Sequence, residues 1–186
     1  KKYLENYEDK LTIKNSNILI EYSDDLINLQ LNGKYFLQNQ EDDFFIKFKG
    51  NLNNFELYSL FDLDNSVLNL SEIQYIKKKN IPSKLEILLN HSEKESNFQN
   101  IIFTENKNNI SVRNLKISED FKITRLDEID VNFLNMNKVL NKFKLERNFD
   151  NYNFTGHQID GEKILENLLK NKNKNKSKNR ENRIVN

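Results

Sequence analysis

Apolar and polar residues alternate along most of this chain. Ile18, Ile20 and Tyr22 are spaced two apart, as are Leu11 and Ile13 before them. Ile27, Leu29 and Leu31 follow after the break at Ser23-Asp24-Asp25. Phe44, Ile46 and Phe48 interleave with Phe45, Lys47 and Lys49. The spacing returns at Leu85, Ile87 and Leu89, at Ile101 and Phe103, at Ile110 and Val112, and at Ile129, Val131 and Phe133. Period two with β-branched and aromatic residues predicts strands that bury one face. The parity slips between Leu70 and Ile73 and again between Val112 and Leu115, which predicts bulges or bends. Asn32-Gly33 predicts a hairpin turn, because both residues tolerate the positive φ of a type I′ turn. Tyr35 and Leu37 would then begin the return strand.

Three segments read as short helices. Phe55, Leu57, Tyr58, Leu60 and Phe61 are spaced for a short amphipathic helix. Met136, Val139, Leu140 and Phe143 stand at i, i+3, i+4 and i+7, with Asn135 as the N-cap. Ile164, Leu165, Leu168 and Leu169 give a third apolar stripe behind the N-cap Asp160. The second and third share a frame: Leu134-Asn135-Met136-Asn137-Lys138-Val139-Leu140 matches Ile159-Asp160-Gly161-Glu162-Lys163-Ile164-Leu165 in residue class at its key positions. The predicted fold is mainly β (α+β). It is a curved antiparallel sheet of about ten strands, with two or three short helices packed on it or capping it. Residues 1–169 form one β-rich domain or segment, and 170–186 form a basic, solvated Lys/Asn-rich tail.

Composition changes this picture little. The chain has 186 residues, 37% hydrophobic and 31% charged, with 13 Phe and 7 Tyr to fill a core. The Asn and Lys excess is that of an AT-rich genome, so neither residue type is informative by abundance alone. No Cys occurs, which excludes disulfides and thiolate metal sites. No run of about 18 apolar residues exists to cross a membrane as a helix. The chain opens on Lys1 and is expected to be trimmed, with any signal or anchor lying upstream.

The net charge of +1 hides an asymmetry. Of 29 basic and 28 acidic residues, seven basic and one acidic lie at 170–186, which leaves 22 and 27 in the body. An acidic body argues against a nucleic-acid groove there. The tail cations Lys170, Lys172, Lys174, Lys176, Lys178, Arg180 and Arg183 could attach to nucleic acid or another anionic surface.

Catalytic patterns are missing from the sequence. His91 and His157 read as loop histidines, and Asp24-Asp25 and Glu41-Asp42-Asp43 read as turn carboxylates without calcium-loop spacing. There is no phosphate-cradling loop and no nucleophile elbow. The expectation is a non-enzymatic protein with no catalytic residues, no metal and no cofactor.

What the pattern supplies in excess is apolar strand face. Many strands and few short helices leave much of it uncovered, and a large uncovered apolar face is normally a binding surface. The expected groove residues are Ile18, Ile20, Ile27, Leu29, Phe44, Ile46, Phe48, Leu85, Ile87, Ile110 and Val112. The style of Phe44–Phe61, Asn108–Ile117 and Ile129–Leu169, with alternating strands leading into a short helix, resembles the AsmA-like envelope proteins, the group that includes AsmA and TamB. The resemblance implies long curved sheets with an apolar interior that carries lipid, and a location in the bacterial periplasm or envelope. The leading expectation is therefore a β-rich protein that holds lipid acyl chains. The alternatives are an interaction module of a larger assembly that uses sheet edges or helices, and attachment to an anionic partner through the tail.

Overall fold

The computed structural model of the protein describes residues 12–37 and 40–160. One antiparallel sheet dominates it. The long strands are β1 (Thr12–Ser23), β2 (Leu26–Leu37), β3 (Gln40–Gly50), β4 (Phe55–Asp62), β7 (Ser83–Ser92), β8 (Glu95–Glu105), β9 (Asn108–Ser118), β11 (Glu128–Leu134), β12 (Leu140–Asn148) and β13 (Asn151–Gln158). They lie side by side in chain order, an open meander, with the short β10 (Ile123–Arg125) paired to β9. Between β4 and β7 the chain leaves the sheet. It forms a two-stranded ribbon, β5 (Leu68–Leu70) and β6 (Tyr75–Lys77), joined by a 3-10 turn at Ser71–Ile73.

The register puts the apolar halves of all ten long strands on one face. Ile18 pairs with Leu31, Leu31 with Ile46, Ile46 with Ser59, and Ser59 with Ile87. The same row continues through Ile101, Val112, Ile129, Leu145 and Phe154. The opposite face carries Lys47, Lys49, Glu56, Lys84, Glu86, Arg113, Asp130, Lys142 and Lys144, by the same pairings. Alternation of this kind is what a sheet with one solvated face requires.

Parity is kept by a bulge. Leu88 pairs with Asn100 but Leu89 pairs with Phe98, so Gln99 is an extra residue in β8. Asn114 stands opposite it in β9 with φ +49°. The extra residue lets Val112 and Leu115, three apart, lie on one face, as the slip in the sequence predicted. The slip between Leu70 and Ile73 corresponds instead to the 3-10 turn, closed by Gln74 at φ +55°.

One expected helix is a strand, and another is a hairpin turn running into one. Phe55, Leu57 and Phe61 alternate with Glu56, Tyr58 and Leu60 in β4, so the i, i+3 spacing of its aromatics was a coincidence of a period-two pattern. At 135–143, Asn135 accepts backbone N–H groups of Asn137 (2.9 Å) and Val139 (2.9 Å). That is cap chemistry, but it closes the β11–β12 hairpin, and Lys138 at φ +59° cannot continue a helix. Among the described residues there is thus no α-helix, and the third expected helix and the basic tail lie outside them. Asn32-Gly33 is not a turn either. It runs inside β2, and the β1–β2 hairpin turns at Asp24 and Asp25, with φ of +50° and +62°. Gly33 is needed there because a Cβ would come within 2.7 Å of Ser16 Oγ in the β1 bulge.

The buried core is confined to one end of the apolar face. Tyr35, Phe44, Phe103, Val131 and Phe133 of the sheet pack with Leu63 and Tyr75 of the excursion at 63–82. Tyr75 sits edge-on between Phe103 (6.0 Å) and Phe133 (5.1 Å).

Candidate functional site

Three places merit examination as a site. The first is the polar cluster beneath the excursion. Asp42, 5% exposed, accepts the Asn65 backbone N–H (3.0 Å), the Asn65 side-chain amide (3.1 Å) and the Ser66 hydroxyl (3.0 Å). Lys77 is fully buried, and its ammonium donates to the carbonyls of Leu63, Asp64 (2.9 Å) and Ser66 (2.7 Å). Tyr75 donates to Glu105, which also takes the Asn108 amide (2.8 Å), and Tyr35 donates to the Asp62 carbonyl. Burial raises the Asp42 pKa and lowers that of Lys77, and it pushes both tyrosines up. Such shifts also mark catalytic sites. Here the ammonium's three protons all go to backbone carbonyls of one turn, so the cluster staples the excursion to the sheet. Glu41 and Asp43 flank Asp42 on β3 and do not join it at the turn expected from sequence.

The second is a depression lined by Arg113, Asn114, Arg125, Asp127, Glu128, Glu146, Arg147 and Phe149. Its charges are matched. Arg125 grips Asp127 with two bonds (2.7 and 3.0 Å), which holds that carboxyl below its usual value. Arg113 and Lys144 both pair with Glu128, at 3.3 and 3.0 Å. Balanced pairs of this kind leave little field for a charged ligand.

The third is the remainder of the apolar face. The row from Ile18 to Phe154 borders the core, with Leu31, Ile46 and Ile129 packed against it, and beyond it runs a second row, Ile20, Leu29, Phe48, Leu57, Leu89, Phe98 and Leu115. A third contains Tyr22, Ile27, Gly50, Phe55, His91, Ser96 and Ile117. Strand residues of these rows include no Lys, Asp or Glu. The ionisable ones are His91, whose Nδ1 meets Ser96 Oγ at 2.9 Å, and Arg147 next to Tyr152. Strands about 4.8 Å apart make the first row, across ten strands, about 43 Å long and the other two, across seven, about 29 Å, and the three rows together stand about 13 Å high. Among the described residues that footprint is on the order of 450 Å², within the range that ordinary monomers leave open.

All eleven expected groove residues lie on this face. The structure divides them. Phe44 is in the core, and Ile46, Leu85 and Ile110 pack against it. Ile18, Ile20, Ile27, Leu29, Phe48, Ile87 and Val112 belong to the open rows, and Ile18 is 61% exposed. Sequence reasoning passed over Leu57, because its segment read as a helix. It also passed over Phe98, which sits among polar residues at 95–100, and over Leu145 and Phe154. Register to Leu89 and Ile129 is the signal that finds them. Neither histidine is in a loop: His91 is half-buried in β7 and stacks on Phe55 (4.7 Å between ring centres), and His157 is exposed in β13. The seven tail cations lie outside the described residues.

No family model matches the chain, and neither does any curated protein or solved structure.

Proposed function

We propose that the chain is a non-enzymatic binding protein that holds lipid acyl chains on the open rows of its apolar face. The observation that carries this reading is the reach of those rows. The first crosses the sheet from edge to edge and the other two run from β1 to β9, with no carboxylate or lysine among their strand residues, while the buried core occupies one end only. The strip suits the occupant in size. One leaflet of a bilayer is about 15 Å of hydrocarbon, close to the height of the three rows. An acyl chain lying along a strand would touch mostly apolar side chains, and chains could lie side by side across the span of about 29 Å where the three rows stand together. Hydrocarbon binding of this kind needs no directed polar group, consistent with a strip whose side chains are mostly Ile, Leu, Phe and Val. The resemblance to AsmA-like proteins implies the same role, in the bacterial envelope.

The test is titration of delipidated protein with a fluorescent fatty acid, together with mass analysis of lipid extracted from the purified protein. Phe48→Glu and Ile87→Glu place a carboxylate in the strip and should weaken uptake about tenfold or more, a change of about 1.4 kcal/mol. Lys47→Glu, on the polar face beside Phe48, should leave uptake unchanged. Wild-type protein that carries no lipid and takes up none would end this reading.

A further inference from the structure

The two outer strands carry a feature that the binding strip does not explain. Natural edge strands are guarded by charge, proline or shortness, because their outward N–H and C=O groups can accept another strand. Here the guard is weakest at the edges. β13 is eight residues long with every residue exposed, and it is the one described strand longer than three residues without Asp, Glu, Lys or Arg. Its inner neighbour β12 has Lys142, Lys144, Glu146 and Arg147. At the other edge, β1 runs for twelve residues, and its stretch from Asn15 to Ile20 is uncharged. Leu19 there points to the polar face and is still 59% exposed. A lone apolar side chain on that face at an edge is what a flanking strand would cover.

We infer that β1 of one copy pairs with β13 of a second copy, so that the sheet continues from molecule to molecule. Three observations select a second copy as the occupant. Every pairing in the ten-strand path is antiparallel, and ten is even, so β1 and β13 run in opposite directions and meet in the same sense as any two neighbours inside the sheet. Ile18 and Phe154 end the same row at opposite edges, so joining them in register continues the apolar strip without a step. The same register sets Ile20 beside Tyr152 on the apolar face, and Asn17 beside Thr155 and Leu19 beside Asn153 on the other. The bulge in β1 between Lys14 and Asn17 and the one in β13 at His157, opposite Lys142 and Phe143, limit the contact to about this length. The pairing is heterologous, and it builds a chain of sheets rather than a closed pair. It lengthens whatever the apolar face holds, and it does not depend on what that is.

The chain has no Cys, so installed thiols report cleanly. Asn17→Cys and Thr155→Cys are made as separate single variants, each checked for the wild-type circular dichroism spectrum, then mixed without lipid and oxidised. Opposed Cβ atoms in such a pair are about 4.5–5.5 Å apart, close enough to bridge. The expected result is a disulfide-linked dimer in the mixture and none with either variant alone. Leu19→Cys mixed with Asn153→Cys should repeat it. Asn17→Cys with Asn151→Cys, displaced by four residues or about 13 Å along the strand, should not link. No link at the highest soluble concentration overturns the inference, and so does equal linking by Asn17→Cys alone, which would mean β1 against β1. Because lipid is excluded, failure here leaves the fatty-acid titration to stand or fall separately.

Discussion

Replacing Lys77 by Met tests how the excursion at 63–82 is held. Met keeps most of the volume and removes only the ammonium. Three charge-assisted bonds disappear, to the carbonyls of Leu63, Asp64 and Ser66. At about 1.5 kcal/mol each, the low end for such bonds, they total about 4.5 kcal/mol. Removing the charge recovers part of this, since burial opposes ionisation at this site. Two of the carbonyls also keep a partner: Leu63 accepts from Ser66 N (3.1 Å) and Asp64 from Ile81 N (3.2 Å). The net expected loss is about 2–4 kcal/mol. With an urea m-value of about 2 kcal/mol/M, the unfolding midpoint should fall by about 1–2 M at unchanged m. Circular dichroism follows the sheet, and hydrogen exchange at 63–82 follows the staple itself. A Lys77→Met midpoint within about 0.2 M of wild type, with unchanged exchange, would show that the buried ammonium is not what fastens the excursion.

Other outcomes follow from the same geometry. Phe133→Ala empties a site 2% exposed against Tyr75 and should cost about 3–5 kcal/mol, read by urea unfolding. Gly50→Ala is strained at φ +138° and would bring a Cβ within 2.2 Å of the Asn54 carbonyl oxygen. It should cost on the order of 1–3 kcal/mol and lower the melting temperature by several degrees. The Asp42 pKa is raised in the fold, so the folded state holds its proton to higher pH than the unfolded chain. Its contribution is therefore greatest at and below the ordinary carboxylate range and is lost as pH rises through the raised value. Urea midpoints measured from pH 4 upward should show that downward slope in wild type and lose it in Asp42→Asn.

The strands were legible because one face of each is apolar, and this survives in single sequences as period two. The bulge at Asn114 was legible too, since Val112 and Leu115 could share a face in no other way. Helices were overread where aromatic residues lie on both faces of a strand. Phe55, Tyr58 and Phe61 satisfy a helical spacing, but Tyr58 packs on the polar face against Phe45, 6.1 Å away, a contact that sequence spacing cannot show. The turn at Asp24-Asp25 was legible as a break carrying turn carboxylates, whereas Asn32-Gly33, the stronger turn signal, serves instead to pass the Ser16 bulge. Lys77 was hidden for another reason. In Lys77-Lys78-Lys79 only tertiary contacts separate the buried lysine from its exposed neighbours. The shared apolar face of the strands was legible, but its division into rows packed on the core and rows beyond it depends on where the excursion lands.

Gln99 and Asn114 have a consequence for how this chain can change length. Removing one residue from the middle of a regular strand turns everything beyond it over, so that Leu and Ile would meet water while Lys and Glu met hydrocarbon. Gln99 and Asn114 face each other as supernumerary residues in adjacent strands. Deleting both would straighten β8 and β9 together and leave every other side chain on its own face. Deleting one alone would put the two strands out of step. Loss of residues inside this sheet is therefore tolerable in matched pairs at this position, and descendants of the chain can shorten there without exchanging inside for outside.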